Sequence, residues 1–332
     1  MIDFCREHAV PVDICGKLVV ASDEGEVQVL DGLLDRGLAN GLTGLRLVDQ
    51  QEMQQVEPAV RGIRALWVPE AGIVDYSQVA TALMTGLRAA GVSFRFESPV
   101  VGLTIGSHSV EVRTARGTIS AEYVIACAGL HSDRIAVMTG AASAPKIVPF
   151  RGDYYVLRPD RRSLIRSLVY PVPDSRFPFL GVHFTRRING DVWMGPNAVL
   201  AFAREGYRRT DVDFGDLLES ISYVGFRRLA ARYWRTALDE MARDFVKALF
   251  VKSLRRYVPE LTAADLLPGP SGVRAQAVDT AGGLIDDFAY DTTERVLNVR
   301  NAPSPAATSS LALASVFVDQ LERQFETRDV LN

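Results

Sequence analysis

The chain has 332 residues, of which 48% are hydrophobic and 23% are charged, a composition typical of a globular protein with room for two packed domains. Its 37 basic and 40 acidic residues give a formal net charge of -3, which argues against a nucleic-acid partner. The three cysteines lack the spacing of a metal site, so no metal is expected and a reducing compartment is favoured.

The sequence shows neither a leader peptide nor an apolar run of about 18 residues. The cytoplasm is therefore the expected location, with a peripheral position on the inner membrane left open. Two local clusters of arginine are better interpreted as solvated faces, and a membrane-facing patch is the alternative. The clusters are Arg158, Arg161, Arg162 and Arg166, and Arg204, Arg208 and Arg209.

Helical and extended patterns alternate along the first part of the chain, which predicts a mixed α/β fold with short connections. A strand is predicted over residues 16–21, followed by helices over residues 24–40 and 49–56. Asp75 can cap a further helix, with Gln78 at the capping-box position. Strands then follow over residues 92–97, 100–105, 110–114 and 118–120, with a three-residue loop at 115–117.

Residues 123–128 form a nearly uniform apolar run, typical of a strand that is buried on both faces of a parallel sheet. Gly129 follows this strand and opens a helix. Open α/β sheets bind ligands at such positions, although an ordinary strand-to-helix turn explains the pattern equally well.

The second half of the chain begins with an extended pattern over residues 146–202, which predicts a broad antiparallel sheet. Within it, Asn189-Gly190 is a strong type I′ hairpin signal. Helices are predicted over residues 213–222, 227–238 and 244–258. The apolar stripe of the last helix is assigned to the core and consists of Phe245, Val246, Leu249, Phe250 and Leu254.

Strands over residues 272–278 and 295–299 precede a proline-bearing turn and a final helix over residues 306–325. The first backbone N–H groups of that helix favour a bound anion or an electron-rich carbonyl. The alternative is that Pro303 and Pro305 only start the helix.

Two arginines lie beside glycine within strand-like runs, Arg151 in residues 150–155 and Arg274 in residues 272–277. A guanidinium group binds a carboxylate bidentately, so both are candidate anchors for a small acid, with a surface arginine as the alternative. His183 alternates with Gly181 and Thr185 on one face, where a general base competes with a satisfied core histidine.

Five short blocks in this order and spacing resemble the L-2-hydroxyglutarate oxidases and dehydrogenases, which are D-amino-acid-oxidase-like flavoproteins. The blocks are Phe150-Arg-Gly-Asp-Tyr-Tyr155, Gly181-Val-His-Phe-Thr-Arg186, Gly195-Pro-Asn-Ala198, Gly272-Val-Arg-Ala-Gln-Ala277 and Asn301-Ala-Pro-Ser-Pro-Ala-Ala-Thr308. The resemblance runs from about Ile2 to Phe325. It implies a substrate domain of residues 1–74 and 141–270 with a large antiparallel sheet. It also implies a Rossmann-like FAD-binding domain of residues 75–140 and 271–326.

By this resemblance, Arg151, Tyr154, His183 and Arg274 line the substrate face. FAD is expected with Val100 and Val101 at its adenine side and Ala128, Gly129 and Leu130 along its pyrophosphate and ribityl chain. Pro303, Ser304, Pro305, Ala306 and Ala307 are expected by its flavin ring. The implied reaction is oxidation of L-2-hydroxyglutarate, a small 2-hydroxy acid, to 2-oxoglutarate by hydride transfer to the flavin, with oxygen or a quinone as the electron acceptor.

The sequence departs from this family at one point. Family members begin with a strand, a GxGxxG turn and a helix, and they carry a later histidine-containing segment that helps to hold the flavin; neither is matched here. A strand-helix-strand unit of roughly 30 or more residues is therefore expected to be absent. Its loss predicts an unpaired edge at residues 124–128, poor FAD binding and weak activity or aggregation.

Three questions stay open at this level. The enzyme is expected to act on a hydroxy acid, but an amine or amino-acid oxidase of the same superfamily is the nearest alternative. A non-catalytic remnant is the alternative from another class. The catalytic base is either His183 or a residue of the unmatched N-terminal segment.

Overall fold

The computed structural model describes residues 1–173 and 181–329, and for residues 236–245 and 324–329 it describes the backbone alone. Its α-helices are α1 (Ile2–Glu7), α2 (Glu24–Ala39), α3 (Gln50–Val56), α4 (Tyr76–Ala89), α5 (Ser132–Met138), α6 (Phe214–Ser222), α7 (Val224–Phe245), α8 (Lys247–Leu254) and α9 (Ala306–Asp329). The mixed α/β class predicted from the alternating patterns is confirmed.

The strands are β1 (Val12–Asp13), β2 (Lys17–Ala21), β3 (Arg46–Asp49), β4 (Arg64–Val68), β5 (Ile73–Val74), β6 (Val100–Ile105), β7 (Val110–Thr114), β8 (Gly117–Ala121), β9 (Val124–Ala126), β10 (Lys146–Leu157), β11 (Leu168–Pro171), β12 (His183–Arg186), β13 (Val192–Gly195), β14 (Val199–Leu200), β15 (Leu266–Val278), β16 (Ala289–Thr292) and β17 (Val296–Asn301).

The largest sheet of the described residues runs in the order β14-β10-β13-β12-β11-β2-β4-β3, and β15 pairs along the length of β10. All of its pairings are antiparallel except that of β11 with β2. This confirms the predicted broad antiparallel sheet, although residues 174–180 of that prediction lie outside the described residues. The Asn189-Gly190 turn joins β12 to β13, with Gly190 at φ +83°.

One face of this sheet is packed into the main hydrophobic core. Leu18, Val169, Phe184 and Met194 come from four neighbouring strands and pack against Phe250 of α8. Among the described residues, the opposite face is covered at its two ends, where α2 packs on β2 and β4 and α7 packs near β10, β14 and β15. The middle of that second face is therefore left for other side chains.

A smaller sheet of the order β16-β17-β9 pairs β17 with β9 in parallel. Phe317 of α9 packs on Leu297 and Val299 of β17. Among the described residues β9 pairs with β17 alone and forms one edge of this sheet. Burial on both faces of this strand was predicted wrongly, because Ile125 keeps 37% of its surface exposed.

The strand predicted over residues 92–97 does not form. Phe94 and Phe96 stack on each other with ring centroids 6.2 Å apart, and the guanidinium group of Arg88 in α4 lies over both rings. Glu97 also has a φ of +51°, which an extended strand does not allow. The alternation of Phe94 and Phe96 therefore reflects their contact with Arg88 near the end of α4 and not a strand.

Three further boundaries differ from the predictions. Thr114 pairs directly with Gly117, so the predicted three-residue loop contains only two residues. The helices predicted over residues 227–238 and 244–258 are α7, which extends to Phe245, and α8, which ends at Leu254. Phe250 and Leu254 of the predicted core stripe are buried, whereas Val246 and Leu249 are exposed and the side chain of Phe245 lies outside the described residues.

Candidate functional site

A row of polar side chains occupies the open middle of the large sheet. Successive residues of a strand point to opposite faces, and directly paired residues share a face. Val169 pairs with Phe184, and Phe184 pairs with Met194, which itself pairs with Tyr155. All four belong to or pack against the core. Their chain neighbours therefore point away from the core, as does Lys17 beside the core residue Leu18. We use the name polar face for the polar side chains on this second face, which are Lys17, Tyr154, Tyr170, His183 and Arg274.

Arg274 joins this face through the pairing of β15 with β10. It lies opposite Phe150, which shares the face of Tyr154 four residues further along β10. Burial lowers the pKa of the Arg274 guanidinium group, while the nearby phenol of Tyr154 raises it. Burial in turn raises the pKa of Tyr154, whose ring lies 5.3 Å from that of Trp193. The guanidinium is thus a partly desolvated cation beside a neutral phenol.

His183 is the buried imidazole of the polar face, with only 8% of its surface exposed. Its Nδ1 lies 3.1 Å from the carbonyl oxygen of Gly181. A carbonyl only accepts hydrogen bonds, so Nδ1 carries the hydrogen and Nε2 of the neutral ring keeps a free lone pair. Burial lowers the pKa of His183 to about 4, with the positive charges of Arg274 and Lys17 acting in the same direction. The ring is neutral at pH 7 and can accept a proton at Nε2.

Tyr170 fixes the plane of the histidine ring. The two rings stack with centroids 4.1 Å apart and an angle of 26° between their planes. Burial raises the pKa of Tyr170, while a hydrogen bond with Thr185 lowers it. Lys17 places its ammonium group 5.4 Å from the centroid of the Tyr170 ring. Neither Tyr170 nor Lys17 was predicted from the sequence, although a single lysine in the apolar run of β2 was an available signal.

Arg151 does not join these residues. It pairs with Val273 and so points to the face opposite Arg274. Only 5% of its surface is exposed, and its Nε donates to Oδ1 of Asp153 at 3.0 Å. Asp153 also accepts from the hydroxyl of Ser271 at 2.5 Å. The register therefore brings Tyr154, His183 and Arg274 together and separates Arg151 from them.

A cavity of about 360 Å³ lies at the carboxyl ends of β9 and β17, within the size range of small-molecule and cofactor pockets. Its walls come from the turn after β9, the end of β17, the start of α9, the start of β10 and the last part of β15. The lining residues include Gly129, Ser132, Ile147, Ala275, Asn301, Ala302, Ala306, Ala307 and Ser310. Ala275 is the chain neighbour of Arg274, so β15 contributes to the cavity wall with one face and to the polar face with the other.

Small residues leave this cavity open. Gly129 has a φ of +53°, and a Cβ atom built at this position meets no atom within 4 Å. Ala302, Ala306 and Ala307 present only methyl groups to the space. A planar ligand can therefore approach the backbone of the turn and the first turn of α9 closely.

Buried polar contacts hold the turn after β9 in place. Ser132 donates its hydroxyl to the carbonyl oxygen of Arg300, and Asp133 accepts from the backbone N–H of Ile147 at 3.0 Å. Arg204 pairs with Asp133 and also donates to the carbonyl oxygen of Leu130. Arg204 is thus a buried structural residue, which corrects the solvated-face interpretation for this member of its cluster.

The other predicted cofactor residues have the following positions. Ala128 and Leu130 flank Gly129, and their carbonyl oxygens accept from the His131 backbone and from Arg204. Pro303, Ser304 and Pro305 form the turn before α9, where the carbonyl of Pro303 accepts from the N–H of Ala306. Val100 and Val101 lie at the start of β6, outside the described wall of the cavity. Gly129, Ala306 and Ala307 are the predicted residues that line the cavity.

A ligand cavity at the carboxyl ends of parallel strands, in a chain whose large sheet also carries a neutral imidazole and a desolvated guanidinium group, is typical of a cofactor-dependent enzyme. Comparison with known proteins agrees. The profile of the FAD dependent oxidoreductases (DAO) matches residues 2–320, and the chain belongs to this family.

Among its relatives, the mitochondrial L-2-hydroxyglutarate dehydrogenase of Mus musculus is 44% identical over 98% of this chain and 74% of its own length. The L-2-hydroxyglutarate dehydrogenase of Indibacter alkaliphilus is 42% identical over 98% of this chain and 82% of its own length. These relatives extend beyond the matched region.

Solved structures share the fold. The FAD-bound L-alpha-glycerophosphate oxidase of Mycoplasma pneumoniae superimposes with a TM-score of 0.75 at 19% identity, covering 94% of this chain and 74% of that chain. Glycine oxidase of Geobacillus kaustophilus superimposes with a TM-score of 0.67 at 16% identity, covering 97% of this chain and 75% of that chain. At these identities the likeness concerns the fold alone. Within the described residues, no helix is both long and apolar enough to cross a membrane.

The cavity fits the flavin end of FAD. Its open glycine turn and its alanine-lined wall admit a planar ring system, and the first N–H groups of α9 face the space in front of that helix. A helix N-terminus stabilises the negative charge that a flavin gains on reduction. Gly129, Ala302, Ala306 and Ala307 are the residues that would hold the ring.

Proposed function

We propose that the protein oxidises L-2-hydroxyglutarate to 2-oxoglutarate with FAD. The observation that carries this proposal is the polar face, where the neutral His183 and the cationic Arg274 lie on one side of the sheet. Arg274 lies on β15, and Ala275 of the same strand lines the cavity from the opposite face. Relatives that are 42–44% identical over nearly the whole chain carry the name L-2-hydroxyglutarate dehydrogenase, which supports the choice of substrate.

Each residue of the polar face has a task in this reaction. Arg274 binds a substrate carboxylate, and burial strengthens this interaction because less water competes for the two charges. Nε2 of His183 accepts the proton of the substrate hydroxyl as the carbonyl forms. Tyr154 and Tyr170 exclude water from the histidine and hold its ring in plane. When bound, FAD would supply the acceptor for the hydride that leaves the substrate α-carbon.

A substrate panel tests the proposal. We expect the FAD-loaded protein to oxidise L-2-hydroxyglutarate and to leave glycine and sarcosine unchanged, because neither amine carries the hydroxyl group whose proton His183 accepts. Turnover is followed by reduction of an artificial electron acceptor and by the appearance of 2-oxoglutarate. Oxidation of an amine without oxidation of the hydroxy acid would show that the amino-acid oxidase alternative is correct.

We further propose a peripheral membrane contact through α6, which would give the protein access to a membrane quinone as its electron acceptor. Phe214, Leu218 and Ile221 form one stripe of this helix and are 81%, 68% and 47% exposed. The opposite side of α6 is polar: Asp216 and Glu219 both pair with Arg134. An exposed apolar stripe on a helix that packs through its polar side is typical of an interaction surface.

The membrane contact predicts binding to lipid vesicles. The protein should sediment with phosphatidylglycerol-containing vesicles, and the double variant Phe214→Ser/Leu218→Ser should lose most of this binding because it removes the apolar stripe. Leu38→Ser is the matched control, since Leu38 is an exposed leucine of α2 on another part of the surface. Equal sedimentation of the double variant and the control would contradict the contact.

A further inference from the structure

Lys17 reaches the polar face from β2, on the side of the histidine away from β15. It pairs in parallel register with Leu168 of β11 and points away from the core, into which its neighbour Leu18 is packed. Its ammonium group lies 5.4 Å from the centroid of the Tyr170 ring, and that ring also stacks on the imidazole of His183. Lys17 therefore belongs to the same assembly as the base.

The backbone before Lys17 is held in a single conformation. Gly16 has a φ of +76°, and a Cβ atom built there would lie 2.1 Å from the ring of Trp67. The N–H of Gly16 donates to the carbonyl of Ala71 at 2.8 Å, and its own carbonyl accepts from the N–H of Leu168 at 3.1 Å. Only glycine fits this close approach, so the direction in which Lys17 leaves the strand is set by the fold.

The charge of Lys17 has no acidic partner within the described part of the chain. No hydrogen bond or ion pair to its ammonium group is formed there. Burial lowers the pKa of Lys17 and no neighbouring group raises it. The buried carboxylate of Glu57, in contrast, accepts from the backbone of Arg166 and Ser167 and from the Ser167 hydroxyl. Such neutralisation is the rule for buried charges, because an uncompensated one is costly.

A second cation of this region, Arg187, differs from Lys17 on this point. Its guanidinium group stacks on Trp193 at 4.3 Å and acts on the carboxylate of Asp75, whose pKa it helps to lower. Arg187 therefore has a protein carboxylate within electrostatic range. Within the residues that the structure describes, Lys17 has no such carboxylate, and an anionic ligand would supply the counter-charge.

The two cations of the polar face lie on opposite sides of the base. Arg274 on β15 and Lys17 on β2 both act electrostatically on His183, which lies on β12 between them in the strand order. We propose that Lys17 binds the distal carboxylate of a dicarboxylate substrate while Arg274 binds the carboxylate next to the hydroxyl. Lys17 thereby sets the preference for dianionic over monoanionic hydroxy acids. This inference rests on the function proposed above.

Substrate selectivity tests the assignment. The FAD-loaded protein and its Lys17→Met variant are compared on L-2-hydroxyglutarate and on L-2-hydroxyvalerate, which has the same chain length without the second carboxylate. We expect the ratio of the two kcat/KM values to fall by about 10- to 100-fold in the variant, the effect of losing one charge-assisted hydrogen bond. Lys252→Met, at an exposed lysine of α8, is the matched control and should keep the wild-type ratio.

Ligand binding gives a second readout that needs no turnover. Calorimetric titration with glutarate and with butyrate should show a preference for glutarate that Lys17→Met removes and Lys252→Met keeps. Lys17→Gln, which retains a polar group of similar length, replaces the methionine variant if that variant does not fold. An unchanged selectivity ratio, or an equal loss for both substrates, would overturn the role of Lys17. A wild-type protein that oxidises neither acid would instead refute the proposed function.

Discussion

Replacement of His183 by alanine is expected to lower kcat by about 10²- to 10⁴-fold, the usual cost of removing a general base. The flavin absorbance of the FAD-loaded variant should match that of the unsubstituted FAD-loaded protein, because His183 lies on the large sheet and does not line the described cavity. Steady-state kinetics with L-2-hydroxyglutarate measures the effect. His108→Ala is the matched control, since His108 is exposed in the turn between β6 and β7.

The pH dependence sharpens this prediction. The imidazole is the active base only when it is neutral, and its pKa is lowered to about 4 by burial and by the positive charges of Arg274 and Lys17. The acid limb of kcat/KM, which reports the free enzyme, should therefore fall near pH 4, below the usual value of about 6.5 for histidine. A near-wild-type kcat for His183→Ala would assign His183 to the core and require another base.

The sequence was informative where a signal is local. The strand-turn-helix pattern at Gly129 and the start of the last helix both predicted walls of the cavity, and these parts of the chain do line it. The alternation of Gly181, His183 and Thr185 placed the histidine on one face of a strand, as β12 shows. Each of these patterns depends on a few neighbouring residues.

The grouping of the arginines required more than local patterns. Arg151 and Tyr154 are three residues apart in one strand, so alternation alone already places them on opposite faces. The partner of Tyr154, in contrast, follows from the register that sets Phe150 opposite Arg274, more than a hundred residues away. No local pattern contains that register, and the two arginines therefore looked equivalent in the sequence.

Lys17 was missed for the same reason. Its neighbour in the sheet is Leu168, reached through a parallel pairing between distant segments, and its closeness to Tyr170 exists only once β11 and β2 are paired. The strand predicted over residues 92–97 was wrong for a different reason. Phe94 and Phe96 do alternate along the chain, but both rings contact Arg88 of α4 and no strand forms.

Arg274→Ala is the second substitution with a large expected effect, and it should act mainly on KM. Removing one partner of a desolvated charge pair costs about 2–5 kcal/mol, or roughly 30- to 5,000-fold in affinity. Arg274→Lys should recover little, because an ammonium group cannot form the bidentate fork. Both KM and the dissociation constant of 2-oxoglutarate should rise, whereas Arg95→Ala, at an exposed arginine after α4, should leave both unchanged.

The same substitution should also move the pH profile in a direction that a purely structural role does not explain. Arg274 is one of the two positive charges that lower the pKa of His183. Without it, protonation of the imidazole becomes easier, so the pKa rises and the acid limb of kcat/KM shifts to higher pH. A raised KM with an unmoved acid limb would place Arg274 away from the base. An unchanged KM would remove it from the substrate site altogether.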